Sequence, residues 1–143
     1  MGVDPGLNNM GVAVWDHKLR KKQAETLEIK GKVHWIKKLQ IMMENIAGIL
    51  TVHEPEVMVI ENWVGSRNSI MYLIGALVGA GPQKVVLVHP KAWTRELLGT
   101  KDSKTAKKKA MSLAKRRYWR PDTQHSADAA CILEYWYNYE YKE

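Results

Sequence analysis

Three carboxylates and one histidine in this sequence are placed where they could do chemistry together. Asp4 leaves a first short apolar stretch, Glu61 ends the run Val57-Met58-Val59-Ile60, and Asp128 opens a helical pattern of small residues. His125 precedes Asp128 by three positions, and residues three apart at a helix start share a face, so both can point at one spot. A carboxylate flanked by apolar strand residues is costly to keep charged unless something positive sits with it, and a divalent cation is the obvious candidate. Oxygen donors favour Mg²⁺ or Mn²⁺. Two such ions ~3.5–4 Å apart can activate a water and stabilise the leaving oxygen in phosphodiester hydrolysis. Each acid also has a structural reading: Asp4-Pro5-Gly6 as a turn, Glu61 as a strand end, Asp128 as a helix cap.

The elements that must position these groups follow from periodicity. Met1–Val3 and Met10–Trp15 read as strands around the turn-forming Asp4–Asn9, and Gln23–Ile29 returns as a third strand after the basic turn Lys18–Lys22. From Val33 to Thr51 the apolar residues Ile36, Leu39, Met43, Ile46 and Leu50 recur at steps of three and four, which predicts a helix with one apolar stripe. Val57–Ile60 is short and continuously apolar, the pattern of a central strand buried on both faces. A helix over Ser69–Gly79, a strand over Lys84–Val88, and helices over Ala92–Leu98, Ser103–Tyr118 and Ala127–Tyr139 complete a mixed α/β order. The Ser69–Gly79 segment is apolar all round. One face can lie on the sheet, and the other, with Gly75 and Gly79 four apart, can meet a second copy of the chain.

Composition narrows the partners. With 22 Lys+Arg against 15 Asp+Glu the net charge of the 143 residues is +7, which points to a polyanion, nucleic acid before an anionic membrane. The excess is local: Lys101–Arg120 holds nine basic residues against Asp102 alone. An uncompensated block of this kind repels itself unless a polyanion relieves it. A single cysteine, Cys131, excludes an internal disulfide framework and every multi-cysteine zinc site. No Gly-x4-Gly-Lys phosphate loop occurs, Gly79-Ala80-Gly81 lacks the third glycine of a dinucleotide fingerprint, and His17, His34, His53 and His89 have no metal-ligand spacing. No apolar run reaches the ~18 residues of a spanning helix, and residues 1–143 read as one domain with no membrane partner.

Four blocks carry a resemblance. Gly2-Val3-Asp4-Pro5-Gly6-Leu7-Asn8-Asn9-Met10-Gly11-Val12-Ala13-Val14 resembles the first-strand motif of RuvC-type Holliday-junction resolvases, a branch of the ribonuclease H-like superfamily that includes phage-encoded members. Val59-Ile60-Glu61 with Ser66-Arg67-Asn68 and the Gly75/Gly79 helix is similar to that family's second acidic block and dimer helix. Val88-His89-Pro90-Lys91-Ala92-Trp93, followed by Leu98-Gly99 and the Lys-rich helix from Ser103, resembles its Pro-containing strand end and basic helix. His125-Ser126-Ala127-Asp128-Ala129-Ala130 is similar to the closing motif.

The resemblance implies a ribonuclease H-like α/β fold with a mixed five-stranded sheet flanked by helices. It implies Asp4, Glu61 and Asp128 as holders of two Mg²⁺ ions, replaceable by Mn²⁺, with His125 as a fourth ligand or a helper of the attacking water. It also implies phosphate contacts by Lys104 and Lys107; Lys108 in the basic block and Arg67 are further candidates for DNA contact. The family's aromatic wedge falls three residues after the second acid, where this chain has Val64; Trp63, two after Glu61, is either the substitute for stacking at a junction centre or a core residue at the strand end. The expected activity is metal-dependent resolution of four-way DNA junctions by a homodimer, in the cytoplasm of a bacterium or of a phage-infected host cell. A nuclease of the same fold acting on flaps, branched replication intermediates or RNA–DNA hybrids is one alternative. A branched-DNA binder that does not cut is the other.

Overall fold

The computed structural model describes residues 1–141. Strands β1 (Gly2–Asp4), β2 (Asn9–Asp16) and β3 (Lys21–Glu28) form an antiparallel meander; β4 (Val57–Glu61) and β5 (Lys84–Val88) then add in parallel on the other side of β1. The sheet order is β3-β2-β1-β4-β5. Helix α1 (Trp35–His53) follows β3 and α2 (Asn68–Ala80) joins β4 to β5, while α3 (Pro90–Leu98), α4 (Ser103–Arg116) and α5 (Gln124–Tyr135) follow β5. The expected mixed five-stranded sheet flanked by helices is what the chain forms.

Strand parity divides the interior. Val3, Met10, Val12, Met58 and Ile60 point to the side covered by α1 and α2, where Met42, Ile46, Leu73 and Leu77 are fully buried. Burial of each such side chain stabilises the fold by ~1.5–3 kcal/mol. Ala13, Val59 and Val88 point to the other side, against Trp93, the alanine stripe Ala106, Ala110 and Ala114 of α4, and α5. Because side chains alternate along a strand, Asp4 and Glu61 fall on this second face. The register pairs Gly2 with Val59 and Val3 with Ile60, so the next step sets Asp4 beside Glu61 at the carboxyl ends of both strands.

Helix α5 lies directly on that face because two strand residues have no side chain. A Cβ at Gly2 would stand 2.4 Å from the carbonyl oxygen of Ala129, and one at Gly11 only 1.9 Å from that of His125. The helix begins three residues earlier than the apolar pattern predicts. Thr123 accepts from the His125 amide, and Thr123 and Ser126 form a capping box, so His125 and Asp128 share the first two turns and Asp128 is not the cap.

Other boundaries shift for local reasons. His34 and His89 cap α1 and α3 with Nδ1, and Pro90 sits in the first turn of α3. Helix α4 stops at Arg116, short of the predicted Tyr118, because Tyr118 turns to φ 65°. The last predicted helix, Ala127–Tyr139, instead closes at Tyr135 and continues as a π-helical turn over Trp136–Glu140. Cys131 is buried, and its thiol lies against the Ala110 carbonyl at 3.5 Å. No helix among the described residues is long and apolar enough to cross a membrane.

Candidate active site

Asp4, Glu61, His125 and Asp128 meet at the carboxyl end of β1 and β4, under the first turns of α5. His125 Nδ1 stands 2.9 Å from Asp4 Oδ2, an ion pair when the imidazole is protonated. That bond holds the imidazole above its ordinary pKa against the opposing effect of partial burial. Glu61 is pushed up to about 7 by burial and by the neighbouring Asp4 and Asp128 charges. Asp128 is likewise raised to about 7, by burial first and Asp4 second, with Lys107 and His125 acting the other way. The carboxylates thus form one mutually repelling acidic group.

Two residues that the sequence reading left without a role orient this group. Trp93, buried on α3, donates its indole Nε1–H to Glu61 Oε2 at 2.6 Å. Gln124 donates from Nε2 to Asp128 Oδ1 at 2.8 Å. With His125 on Asp4, each acid therefore has one neighbour fixing one oxygen. Gln124 lies four before Asp128, a spacing visible in the sequence once α5 is known to start at Gln124. The Trp93 contact spans 32 positions and has no local signal.

The donor set suits a hard cation, since the three carboxylates supply oxygens only and Glu61 and Asp128 are buried beside other negative charge. Among the described residues no group of three or more His, Cys, Asp or Glu side chains is gathered tightly enough to hold a metal ion as it stands. The fit is one of chemistry and common orientation; it is not a closed cage. With Nδ1 on Asp4, Nε2 is the nitrogen that His125 could offer to such a set.

The other expected contact residues surround this corner unevenly. Lys107 projects from α4 close enough to act on both His125 and Asp128, whereas Lys104 and Lys108 are exposed on the same helix. Lys109 is turned inward to the Leu98 carbonyl at 3.0 Å and closes the end of α3. Arg67 is exposed at the N-cap of α2 without a side-chain cap bond. Trp63 is 37 % exposed, and its ring lies over Gly65, where a Cβ would come 2.5 Å from Nε1.

A mixed sheet in the order β3-β2-β1-β4-β5, with acids at the ends of its two central parallel strands and on the covering helix, is the α/β architecture of ribonuclease H-like resolvases. Comparison with known proteins gives the family. The family described as crossover junction endodeoxyribonuclease RuvC matches residues 1–89, more than half of the chain, and the protein belongs to it. Its enzyme class is that of a crossover junction endodeoxyribonuclease. The chain is similar to the Thermus thermophilus RuvC structure at 20% identity and a TM-score of 0.67, covering 92% of this chain and 88% of that one. The T. thermophilus RuvC in complex with Holliday junction substrate gives 20% identity and a TM-score of 0.65 over 92% and 87%. The fowlpox virus Holliday junction resolvase gives 16% and 0.55 over 95% of each chain. No curated protein matches the sequence.

Proposed function

We propose that the protein is a homodimeric, divalent-metal-dependent endonuclease that resolves four-way DNA junctions by nicking two opposed strands. The observation that carries this reading is the acidic corner itself, where Asp4, Glu61 and Asp128 each keep one oxygen fixed by a neighbour, beside Lys107, in a chain of this family. Asp4, Glu61 and Asp128 would hold Mg²⁺, or Mn²⁺ in its place; two bound ions supply the positive charge that phosphodiester hydrolysis requires at the attacking and leaving oxygens. Water adds to phosphorus and the bond to the 3′ oxygen breaks, leaving a 3′-hydroxyl and a 5′-phosphate. His125 is positioned to hold a proton at Nδ1 against Asp4. Trp93 and Gln124 restrict the rotamers of Glu61 and Asp128, and Lys107, Lys104, Lys108 and Arg67 offer positive charge to the phosphates. Trp63, exposed just beyond Glu61, is the candidate for stacking on an opened base.

Incubation with Mg²⁺ and labelled four-way junction, flap, linear duplex and RNA–DNA hybrid tests the substrate class. Selective cutting of the junction supports the reading; preferred cutting of flap or hybrid replaces it with the broader nuclease, and tight binding without cutting in Mg²⁺ or Mn²⁺ sinks it. Trp93→Phe keeps the ring in the core but removes the donor to Glu61. It is expected to lower the cleavage rate ~10–100-fold and to raise the Mg²⁺ concentration needed for half-maximal rate, with junction binding unchanged. An unaltered Mg²⁺ titration would contradict the orienting role.

The dimer reading is supported by α2. Ile70, Leu73, Ile74 and Leu77 are buried, yet Met71 and Val78 are 48% and 43% exposed, and a Cβ at Gly75 or Gly79 would meet nothing within 4 Å. The outer face is therefore apolar, small in profile and uncovered by its own chain. A Met71→Lys, Val78→Lys double variant is expected to fold and to halve the solution mass by light scattering. A mass equal to that of the wild type would exclude this face as the contact.

A further inference from the structure

Helix α5 carries His125 and Asp128 over a smooth contact. Its small residues Ala127, Ala129 and Ala130 are buried, and the strands beneath offer Gly2, Gly11 and Ala13. Small apolar surfaces attract without direction, so they bring the helix close but set neither its rotation nor its height. A displacement of ~1 Å at a reacting group can cost ~100-fold in rate. The first turn therefore needs directional bonds.

One rung of the sheet supplies them. Thr26 on β3, Gly11 on β2 and Asp4 on β1 are register partners in line, on the face that α5 covers. In the middle Gly11 admits the His125 carbonyl, and at one end Asp4 meets the imidazole at 2.9 Å. At the other end Thr26 meets the residue that leads into the helix. Its amide donates to Asp122 Oδ2 at 3.0 Å and its hydroxyl to Asp122 Oδ1 at 2.8 Å. Ser126, fully buried and next to His125, donates to Asp122 Oδ1 at 2.7 Å and accepts the amides of Asp122 and Thr123 at 3.1 Å each.

Counting protons gives the cluster a direction. With the Thr26 hydroxyl donating to Asp122, the 2.5 Å bond between Thr26 Oγ1 and Thr123 Oγ1 is donated by Thr123, whose oxygen in turn accepts the His125 amide at 3.2 Å. A chain of bonds thus runs from the His125 N–H through Thr123 and Thr26 to the Asp122 carboxylate. Asp122 only accepts, so every donor converges on it. Against the opposing effect of partial burial, the bonds from Ser126 and Thr26 hold its carboxyl below the ordinary range.

We infer that Asp122 and Thr26 are positioning residues for the cleavage reaction, a clamp on the edge strand that sets the rotation of α5 and so keeps His125 against Asp4 and Asp128 within the acidic group. The inference rests on the metal-dependent nuclease reading. Both residues act through the helix.

Three variants test the clamp. Thr26→Val removes one hydroxyl and keeps the shape of the side chain, Thr26→Ser keeps the hydroxyl, and Asp122→Asn keeps the shape but turns an N–H toward a donor. Thr26→Val and Asp122→Asn are expected to bind the four-way junction as the wild type does, to cut it ~10–100-fold more slowly, and to need ~5–10-fold more Mg²⁺ for half-maximal rate. Amide hydrogen exchange in the free protein is expected to quicken ~10-fold at His125 and Ala127 and to stay unchanged at Ile132 and Leu133. Thr26→Ser is expected to return rate, Mg²⁺ requirement and exchange to wild-type values. If Asp122→Asn fails to fold, the Thr26 pair decides. An unchanged rate and Mg²⁺ requirement in Thr26→Val, or a Thr26→Ser as slow as Thr26→Val, overturns the positioning role. Exchange at His125 as slow as in the wild type overturns the clamp itself. Wild-type protein that cuts no four-way junction in Mg²⁺ or Mn²⁺ overturns the nuclease reading beneath it, whatever the exchange rates.

Discussion

Asp128→Asn is expected to abolish junction cleavage, by ~10³-fold or more, while the protein folds and still binds the junction. Asparagine keeps the shape of the side chain and can still accept from Gln124, so the 2.8 Å bond and the packing under α5 survive. What disappears is one of the three anionic oxygen donors that the site brings together, and groups acting as a unit in catalysis lose most of the rate when any member is removed. The loss of charge has a second consequence. Asp128 helps to raise Glu61, so its neutralisation lets Glu61 ionise more easily, and it removes a negative charge from the path of the phosphates. Binding is therefore expected to hold or tighten while turnover vanishes. Single-turnover rates with labelled junction, beside mobility-shift titrations, check both; a variant within tenfold of the wild-type rate would remove Asp128 from the catalytic group.

Gly11→Ala is the second large effect, and it acts through the backbone. The new Cβ would stand 1.9 Å from the His125 carbonyl oxygen, 2.3 Å from its carbon and 2.9 Å from the Ser126 nitrogen. None of these atoms can rotate away. The first turn of α5 is fastened on its other side, where Asp122 accepts from the Thr26 amide at 3.0 Å and its hydroxyl at 2.8 Å, and Ser126 bonds Asp122 at 2.7 Å. Relief must come from bending β2 or lifting α5, and Gly11 is the register partner of Asp4. Either movement separates His125 from Asp4. A loss of ~3 kcal/mol in stability and ~100-fold in rate is expected, read by urea unfolding and by cleavage. Gly48 on α1 is the control, since a Cβ there meets nothing within 4 Å and Gly48→Ala should gain about 0.5–1 kcal/mol. If Gly11→Ala were as stable and active as Gly48→Ala, the close approach of α5 to β2 would be wrong.

The legible part of this molecule is the part written in short-range pattern. Strand parity in Val57–Glu61 places Glu61 at a strand end, and the three-residue step from His125 to Asp128 puts both on one helix face, so the acidic corner could be anticipated from spacing. The apolar outer face of α2 was equally open to reading, because no amphipathic surface helix is apolar all round. The start of α5 was misplaced although its signal was present, a Thr123 and Ser126 capping pair three apart. The small residues that follow, Ala127, Ala129 and Ala130, hid the earlier boundary by offering an apolar pattern of their own. Its end could not be read, since the π turn over Trp136–Glu140 departs from the helical period.

Contacts between distant segments left no trace in the sequence. Trp93 on Glu61 and Lys22 on Glu134 and Arg117 are tertiary choices among many equivalent tryptophans and lysines. The first supplies an orienting donor to the acidic corner; the second fastens the start of β3 to the end of α4.

The central claim, a junction-resolving nuclease built on Asp4, Glu61 and Asp128, is tested most directly by mapping cuts in a four-way junction labelled on each strand in turn, with wild-type protein and Mg²⁺. The account predicts metal-dependent nicks placed symmetrically on two opposed strands, each leaving a 5′-phosphate, with the other two strands intact. Cuts scattered equally over all four strands and over linear duplex, or no cut in Mg²⁺ or Mn²⁺ despite binding, would contradict it.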